Sequence, residues 1–121
     1  MNKNIVIAED FNVSRKIIAS VLTKAGHHVI EASDGKEAAS YFDGRKVDML
    51  ITDFNMPEMN GAELIQKVRA TSDYSFIPIL LLTTEVNEVK LKAALDENIT
   101  AWIKKPFQAD VFLKIVTKAL R

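Results

Sequence analysis

The stretch Val47-Asp48-Met49-Leu50-Ile51-Thr52-Asp53 decides the fold, because an apolar run stops there at an acid. A polar loop, residues 54–61, follows it directly. A second apolar run, residues 4–8, also ends in acids, Glu9 and Asp10. If the two runs are neighbouring parallel strands, three carboxylates meet at one edge of the sheet. Such acids raise one another's pKa unless a cation lies between them, and hard oxygen ligands suit Mg²⁺.

Short apolar runs alternate with longer amphipathic stretches along the whole chain. The central runs are apolar, without strict alternation of apolar and polar residues, which is typical of strands buried on both faces. The predicted strands are residues 4–8, 28–32, 47–52, 78–82 and 100–103. The predicted helices are residues 13–25, 35–42, 61–70, 87–97 and 109–120. This order predicts an α/β fold with a parallel sheet and helices on both of its faces.

Residues at the predicted helix ends agree with this assignment. Asn12 and Ser33-Asp34 are suitable N-caps, whereas Gly26 and Gly44 lie just after helix ends. We find no linker, internal repeat or low-complexity stretch, so we expect a single domain over residues 1–121.

Composition excludes several functional classes. Sixteen basic and sixteen acidic residues give a net charge of zero, which argues against a general nucleic-acid binder. The absence of cysteine excludes disulfide and thiol chemistry. No run approaches the ~20 apolar residues that span a bilayer, and the first residues lack the layout of a signal peptide. We therefore expect a cytoplasmic protein without a membrane or nucleic-acid partner.

Polar residues also follow the fourth and fifth predicted strands. Thr83-Thr84 ends one of them, and Lys104-Lys105 ends the other. A single hydroxyl or lysine at a strand end is usually a solvated loop residue. Together with the three acids, however, these residues place polar groups from four strands at the edge where parallel sheets bind ligands.

This ordered set of motifs resembles the receiver domain of bacterial two-component response regulators, over essentially the whole chain. It is most similar to the stand-alone chemotaxis (CheY) type. The motifs are Glu9-Asp10, Asp53 with the loop at residues 55–61, Thr83, and Thr100-Ala101-Trp102-Ile103-Lys104-Lys105-Pro106-Phe107. The resemblance implies a doubly wound, flavodoxin-like (βα)5 fold with strand order 2-1-3-4-5. It also implies a cis bond between Lys105 and Pro106.

The resemblance further implies a reaction centred on Asp53. This carboxylate would accept a phosphoryl group from a histidine kinase, with Mg²⁺ as the cofactor. Asp10, Asp53 and the backbone carbonyl of Asn55 would hold the ion, and Glu9 would act through a bound water. Lys105 is expected to contribute a positive charge to a phosphoryl oxygen.

Other residues would convert phosphorylation into a signal. The resemblance implies that Thr83 donates its hydroxyl to the phosphoryl group and that Trp102, where receivers more often carry Tyr or Phe, is the aromatic switch. A tryptophan that stays fixed in the core is the alternative. Asn55 and Glu85 would set the lifetime of the signal.

Output is expected from the fourth helix, fifth strand and fifth helix, near a group of basic residues: Lys90, Lys92, Lys104 and Lys114. Because no output domain is evident, we expect the chain to signal by binding another protein. We expect a monomer, since the domain is small and neutral and has no evident zipper. The partner would be a flagellar motor switch protein or another relay protein, and a phosphatase is a further candidate.

Three alternatives remain at this point. Within the family, the chain could be a phosphorelay intermediate or a phosphate sink. A haloacid-dehalogenase-like phosphatase usually has a second Asp two residues after its nucleophile, where this chain has Asn55, so we do not expect an enzyme. A flavodoxin-like cofactor carrier needs a phosphate-binding loop after the first strand, where Glu9 and Asp10 would repel phosphate.

Overall fold

The structure, a computed structural model, describes residues 2–121. Five strands alternate with five α-helices, as predicted. The strands are β1 (Asn4–Ala8), β2 (His28–Ala32), β3 (Met49–Asp53), β4 (Ile79–Thr83) and β5 (Ala101–Lys104). The helices are α1 (Asn12–Lys24), α2 (Gly35–Ser40), α3 (Gly61–Ala70), α4 (Glu88–Leu95) and α5 (Ala109–Ala119), with a short 3₁₀ helix at Ser72–Tyr74 that was not predicted.

The five strands form one parallel sheet in the order β2-β1-β3-β4-β5. This confirms the flavodoxin-like (βα)5 fold and its 2-1-3-4-5 topology. Ala8 of β1 lies opposite Thr52 of β3, and Asp53 lies opposite Leu82 of β4. The carboxyl ends of these strands therefore share one edge, at the place where the strand order reverses and such sheets bind ligands.

Two apolar clusters cover the two faces of the sheet. On one face, Val6 and Leu50 pack with buried residues of α2, α3 and α4. On the other face, Ile7 and Ile51 pack with buried residues of α1 and α5. Neighbouring residues of β1 and β3 thus point to opposite clusters, which explains why these strands are apolar without alternation.

The predicted helix ends are confirmed at Asp34 and Gly26 but not at Asn12 or Gly44. Helix α2 already ends at Ser40, with Tyr41 as its C-cap, so Gly44 lies in the loop beyond it, with a positive φ of 108°. Asp34 caps α2 by accepting from the backbone N–H of Glu37 at 2.7 Å, and Gly26 has a positive φ of 96° just after α1. The prediction for Asn12 was wrong, because Phe11 occupies the N-cap and makes no side-chain cap bond. Asn12 Oδ1 instead accepts a hydrogen bond from Arg15 Nη2 at 2.6 Å.

At the amino end of the sheet, Arg69 of α3 ties two loops together. Its guanidinium donates only to backbone carbonyl oxygens of the segments that precede β4 and β5. These oxygens belong to Tyr74 (3.4 Å), Ser75 (3.2 Å), Ile77 (2.8 Å), Glu97 (3.1 Å) and Asn98 (3.2 Å). Among residues 2–121, no helix combines the length and hydropathy that crossing a bilayer requires.

Candidate functional site: an acidic edge with a paired lysine

The three predicted acids lie together at the carboxyl edge of the sheet. Glu9 and Asp10 follow β1, and Asp53 is the last residue of β3. One carboxylate oxygen from each lies within 4.8 Å of the others. Glu9 is only 2% exposed, whereas Asp10 is exposed and Asp53 is partly buried. The group therefore combines a buried acid with two acids that a ligand can reach.

Lys105 follows β5 and reaches into this acidic group. Its Nζ forms an ion pair with Glu9 and lies 3.1 Å from Asp53 Oδ2. Its backbone N–H donates to the carbonyl of Thr83 at 2.9 Å, which fixes the start of the loop after β5. The Lys105–Pro106 peptide bond is cis, as the resemblance implied. The ammonium is thus placed directly against the predicted phosphoacceptor.

Burial and charge both act on the ionisation of this group. Burial raises the pKa of the Glu9 carboxyl, and the neighbouring Asp53 acts in the same direction, while the bond from Lys105 opposes them. Burial alone would lower the pKa of Lys105, but its bonds to Glu9 and Asp53 outweigh that effect and raise the pKa above its usual value. Lys105 is therefore protonated at neutral pH and compensates one of the three carboxylates.

Thr83 ends β4 next to this group and is completely buried. Its Oγ1 accepts a hydrogen bond from the backbone N–H of Glu85 at 3.0 Å. Because a hydroxyl is also a donor, its hydrogen remains available to another acceptor. Asp53 pairs with Leu82 in the sheet, so Thr83 lies one residue beyond the level of Asp53.

The loop after β3 carries Asn55, which is exposed, and is held close to α3. The backbone N–H of Phe54 donates to Asp53 Oδ1, and the N–H of Gly61 donates to the Phe54 carbonyl, each at 2.7 Å. A β-carbon at Gly61 would lie 2.2 Å from the carbonyl oxygen of Asp53. Only glycine fits at this position, so the start of α3 packs directly against the backbone of Asp53.

The same loop is confined on its other side by α2. A β-carbon at Gly35, the first residue of α2, would lie 2.1 Å from the carbonyl oxygen of Met59. Glu58, the residue before Met59, has a positive φ of 69°. The loop that carries Asn55 therefore has backbone neighbours on both sides.

Trp102 of β5 lies opposite Leu81 of β4 and packs against the apolar cluster beneath α4. Its side chain is only partly buried, but within residues 2–121 its Nε1–H is buried without a hydrogen-bond acceptor. An unpaired buried donor is unfavourable, so this packing of the indole carries a free-energy cost.

Glu85 turns toward the backbone at the start of α4. Its carboxylate accepts from the N–H groups of Val86 and Asn87, both at 3.1 Å, and lies 3.7 Å from Lys90 Nζ. These bonds lower the pKa of the Glu85 carboxyl below its usual value. In this arrangement Glu85 orders the loop between β4 and α4.

The predicted output surface carries exposed basic residues and exposed apolar side chains. Its lysines are all exposed, and Lys92 pairs with Asp96 at 3.0 Å along α4. Val89 of α4 is 83% exposed, and Val111 of α5 is 47% exposed. A surface of this kind combines positive charge with apolar area that a partner protein can cover.

Sequence analysis missed Arg15, which lies beside the acid pair. Its guanidinium donates to the Glu9 carbonyl at 3.0 Å, to Asn12, and to Glu31 Oε1 at 3.2 Å. A basic residue one turn into the helix that follows an acid pair was the available signal. Residue type alone does not show, however, that its partner is a backbone carbonyl.

Comparison with known proteins agrees with this geometry. Residues 5–117 match the response regulator receiver domain. A chemotaxis protein CheY homolog of Campylobacter jejuni is 41% identical over 109 residues, which cover 88% of this chain and 84% of that protein. Chemotaxis protein CheY1 of Helicobacter pylori is 38% identical and covers 88% of each chain.

Solved structures give the same result. Chemotaxis response regulator CheY4 of Vibrio cholerae superimposes with a TM-score of 0.90 at 34% identity, over 98% of this chain and 99% of that one. The match to a receiver model, the identity to CheY relatives and the shared fold extend over nearly the whole sequence. The chain therefore belongs to the response regulator receiver domain family.

Proposed function

We propose that the chain is a single receiver domain, residues 1–121, that accepts a phosphoryl group on Asp53 from a histidine kinase. The observation that carries this proposal is the contact between Lys105 Nζ and Asp53 Oδ2 at 3.1 Å, beside two further carboxylates. A carboxylate oxygen of Asp53 forms the new bond to phosphorus while the phosphorus–nitrogen bond of the donor phosphohistidine breaks. The imidazole nitrogen leaves with the electron pair of that bond.

The residues at this edge fit a magnesium ion. Mg²⁺ prefers hard oxygen ligands, and one carboxylate oxygen from each of Glu9, Asp10 and Asp53 lies within 4.8 Å of the others. We infer that Asp10, Asp53 and the carbonyl of Asn55 hold the ion. Because Glu9 is paired with Lys105, its proposed role is indirect, through a bound water. When bound, Mg²⁺ would supply positive charge to the phosphoryl oxygens.

The chain's own groups provide the remaining stabilisation. The Lys105 ammonium is a compact positive charge with three donors, which suits a phosphoryl oxygen. The Thr83 hydroxyl, whose oxygen already accepts from Glu85, would donate its hydrogen to a second phosphoryl oxygen. Phosphoryl transfer depends mainly on such positioning and charge stabilisation.

Phosphorylation would then act by shifting the population of two packings of the β4–α4 region. We infer that movement of Thr83 toward the phosphoryl group changes the environment of Trp102. The unpaired indole N–H favours such a change, because a rotated ring can find an acceptor or water. The output surface around α4, β5 and α5 would then bind a partner protein.

Similarity to chemotaxis proteins supports a role in chemotaxis, with a flagellar motor switch protein as the partner. A phosphorelay intermediate or phosphate sink is the second possibility. We propose a signalling protein whose chemistry is limited to its own phosphorylation and dephosphorylation, with Asn55 and Glu85 setting the lifetime. Asn55 lacks the ionisable group that a phosphatase of the haloacid-dehalogenase type needs two residues after its nucleophile.

The central test is intact-protein mass spectrometry after incubation with acetyl phosphate and Mg²⁺. We expect one phosphoryl addition in the wild-type chain and none in Asp53→Asn. Asp96→Asn is the matched control, because Asp96 is exposed and pairs only with Lys92. Lack of any addition to the wild type, or addition that persists in Asp53→Asn, would contradict the proposal.

Two binding experiments test the signal. Beryllium fluoride with Mg²⁺ stands in for the phosphoryl group and should change the fluorescence of Trp102 in the wild type but not in Asp53→Asn. An unchanged spectrum would remove Trp102 from the switch while leaving phosphorylation intact. Binding to a motor switch peptide only in the presence of beryllium fluoride would support chemotaxis, whereas phosphoryl transfer onward to a histidine-containing protein would support a relay.

A further inference from the structure

Arg15 makes hydrogen bonds to residues on both sides of Asp10, in the turn that follows β1. Its Nη1 donates to the carbonyl oxygen of Glu9 at 3.0 Å, and its Nη2 donates to Asn12 Oδ1 at 2.6 Å. One guanidinium therefore bonds to the backbone of the residue before Asp10 and to the side chain of the second residue after it. Its planar donors point in fixed directions from different nitrogens, a geometry that the single nitrogen of an ammonium does not provide.

The same guanidinium connects this turn to the neighbouring strand. Arg15 Nε donates to Glu31 Oε1 of β2 at 3.2 Å, and the Arg15 side chain is only 14% exposed. The backbone N–H of Glu9 also donates to the carbonyl of Ala32 at 3.0 Å. The turn from Glu9 to Asn12 is thus fixed relative to β2 by a backbone bond and by Arg15.

Asp10 itself depends on this support. Within the described part of the chain, residues 2–121, its carboxylate has no hydrogen bond or ion pair, and the residue is exposed. The backbone of the turn therefore sets the position from which this side chain extends toward the other two acids. Loss of the contacts on either side of Asp10 would allow that backbone to move.

We propose that Arg15 is a positioning residue for the divalent-cation site, because it holds the turn that presents the Asp10 carboxylate to the ion. This inference rests on the proposed function, since it requires that Asp10 binds Mg²⁺. Arg15 acts through the backbone and needs no contact with the ion or the phosphoryl group. Residues that orient metal ligands in this way commonly change metal affinity when they are replaced.

Electrostatic repulsion alone predicts the opposite effect on Mg²⁺ affinity, so an experiment can distinguish it from positioning. A guanidinium near the site repels a divalent cation, so simple removal of its charge should strengthen Mg²⁺ binding. The positioning role predicts that the same removal weakens binding. Lys16 is a matched control, because it also pairs with Glu31, at 3.1 Å, but is 61% exposed and makes no hydrogen bond to the turn.

The experiment is a calorimetric titration of the full chain with Mg²⁺. Arg15→Met should weaken binding on the order of tenfold, whereas Lys16→Met should stay within about twofold of the wild type or bind more tightly. Equal or tighter binding by Arg15→Met would overturn the inference. Absence of binding by the wild type would instead overturn the metal assignment in the proposed function and, with it, this inference.

A second variant and a second measurement separate positioning from folding. Arg15→Lys keeps the charge but loses the fork, so it should also weaken Mg²⁺ binding, and it decides the question if Arg15→Met does not fold. Hydrogen exchange of the metal-free protein should show faster exchange of the Glu9 and Phe11 amides in folded Arg15→Lys than in Lys16→Met, since these amides donate to the Ala32 carbonyl and to Glu9 Oε2. Unchanged exchange together with unchanged affinity in Arg15→Lys would refute the positioning role.

Discussion

Lys105 and Arg69 are partly buried basic side chains at opposite ends of the sheet, and their partners differ in kind. At the carboxyl edge, Lys105 faces the carboxylates of Glu9 and Asp53. At the amino end, Arg69 faces only backbone carbonyl oxygens, from two loops. The carbonyl partners of Arg69 are backbone groups without a formal charge. The carboxylate partners of Lys105 supply the oxygens that the proposed reaction uses.

This difference in partners suggests that Arg69 contributes to stability and that Lys105 contributes to function. The bonds of Arg69 are satisfied whatever the protein binds, so Arg69 can serve the folded state alone. The bonds of Lys105 compete with any cation or phosphoryl group that approaches Asp53. The carboxyl edge also holds more carboxylates than ammonium groups, so a bound cation would reduce the repulsion among them. The following predictions test this division, from the largest expected effect to the smallest.

Arg69→Met should lower the free energy of unfolding by about 3 kcal/mol, because it leaves several carbonyl oxygens without their charged donor. Urea denaturation followed by circular dichroism measures the change. Lys67→Met is the control, since Lys67 is exposed on the same helix. Mg²⁺ affinity should stay the same in both variants, and a large loss of affinity in Arg69→Met would show that the two ends are coupled.

Magnesium should stabilise the protein through the other end of the sheet. An ion that binds only the folded state adds roughly 2.7 kcal/mol at a concentration of 100 times Kd. Thermal unfolding with and without Mg²⁺ should show this increment in the wild type and in Arg69→Met, but not in Asp10→Asn. Persistence of the full increment in Asp10→Asn would remove Asp10 from the site.

Glu9→Gln should raise the free energy of unfolding of the metal-free protein by about 1 kcal/mol. Burial raises the pKa of Glu9, so the folded state disfavours its charged form at neutral pH, and a neutral amide removes this penalty. Lys105 keeps Asp53 as its partner in this variant. Marked destabilisation in urea would instead show that the Glu9–Lys105 ion pair stabilises the fold.

Phe76→Ser should change the free energy of unfolding by less than about 0.5 kcal/mol. Phe76 lies in the loop that Arg69 holds, but its side chain is 96% exposed. Comparison with Arg69→Met in the same urea experiment shows whether the guanidinium or the aromatic ring holds that loop. A loss of unfolding free energy comparable to that of Arg69→Met would show that the Phe76 ring helps to hold the loop.

The strands, helices and acidic site were predictable because their signals lie close together in the sequence. The apolar run before Asp53 and the acid pair after β1 place three carboxylates once the strands are known to be parallel. Strand ends were less accurate: residues 47–52 were predicted, but β3 is Met49–Asp53. The side chain of Asp48 instead accepts from the backbone N–H of Asn4 at 2.8 Å, ahead of the strand.

The roles of Arg69 and Arg15 were not predictable, because the partners of Arg69 and one partner of Arg15 are carbonyl oxygens, which every residue possesses. Arg69 reaches Glu97 and Asn98, which are distant in sequence. The N-cap prediction for Asn12 was wrong for a related reason, since Arg15 takes the side-chain oxygen that would have capped α1. Such competition between donors is visible only when the side chains are placed in three dimensions.

The close approach of Gly61 to Asp53 restricts the movement of the proposed phosphorylation site. A β-carbon there would lie 2.2 Å from the Asp53 carbonyl, so the strand end has no free volume on the side of α3. If Asp53 becomes an acyl phosphate, its backbone cannot shift toward that helix, and we expect the structural change to occur on the side of β4. Gly61, the first residue of α3, would thereby keep that side of the site fixed, so that the structural change reaches α4 instead.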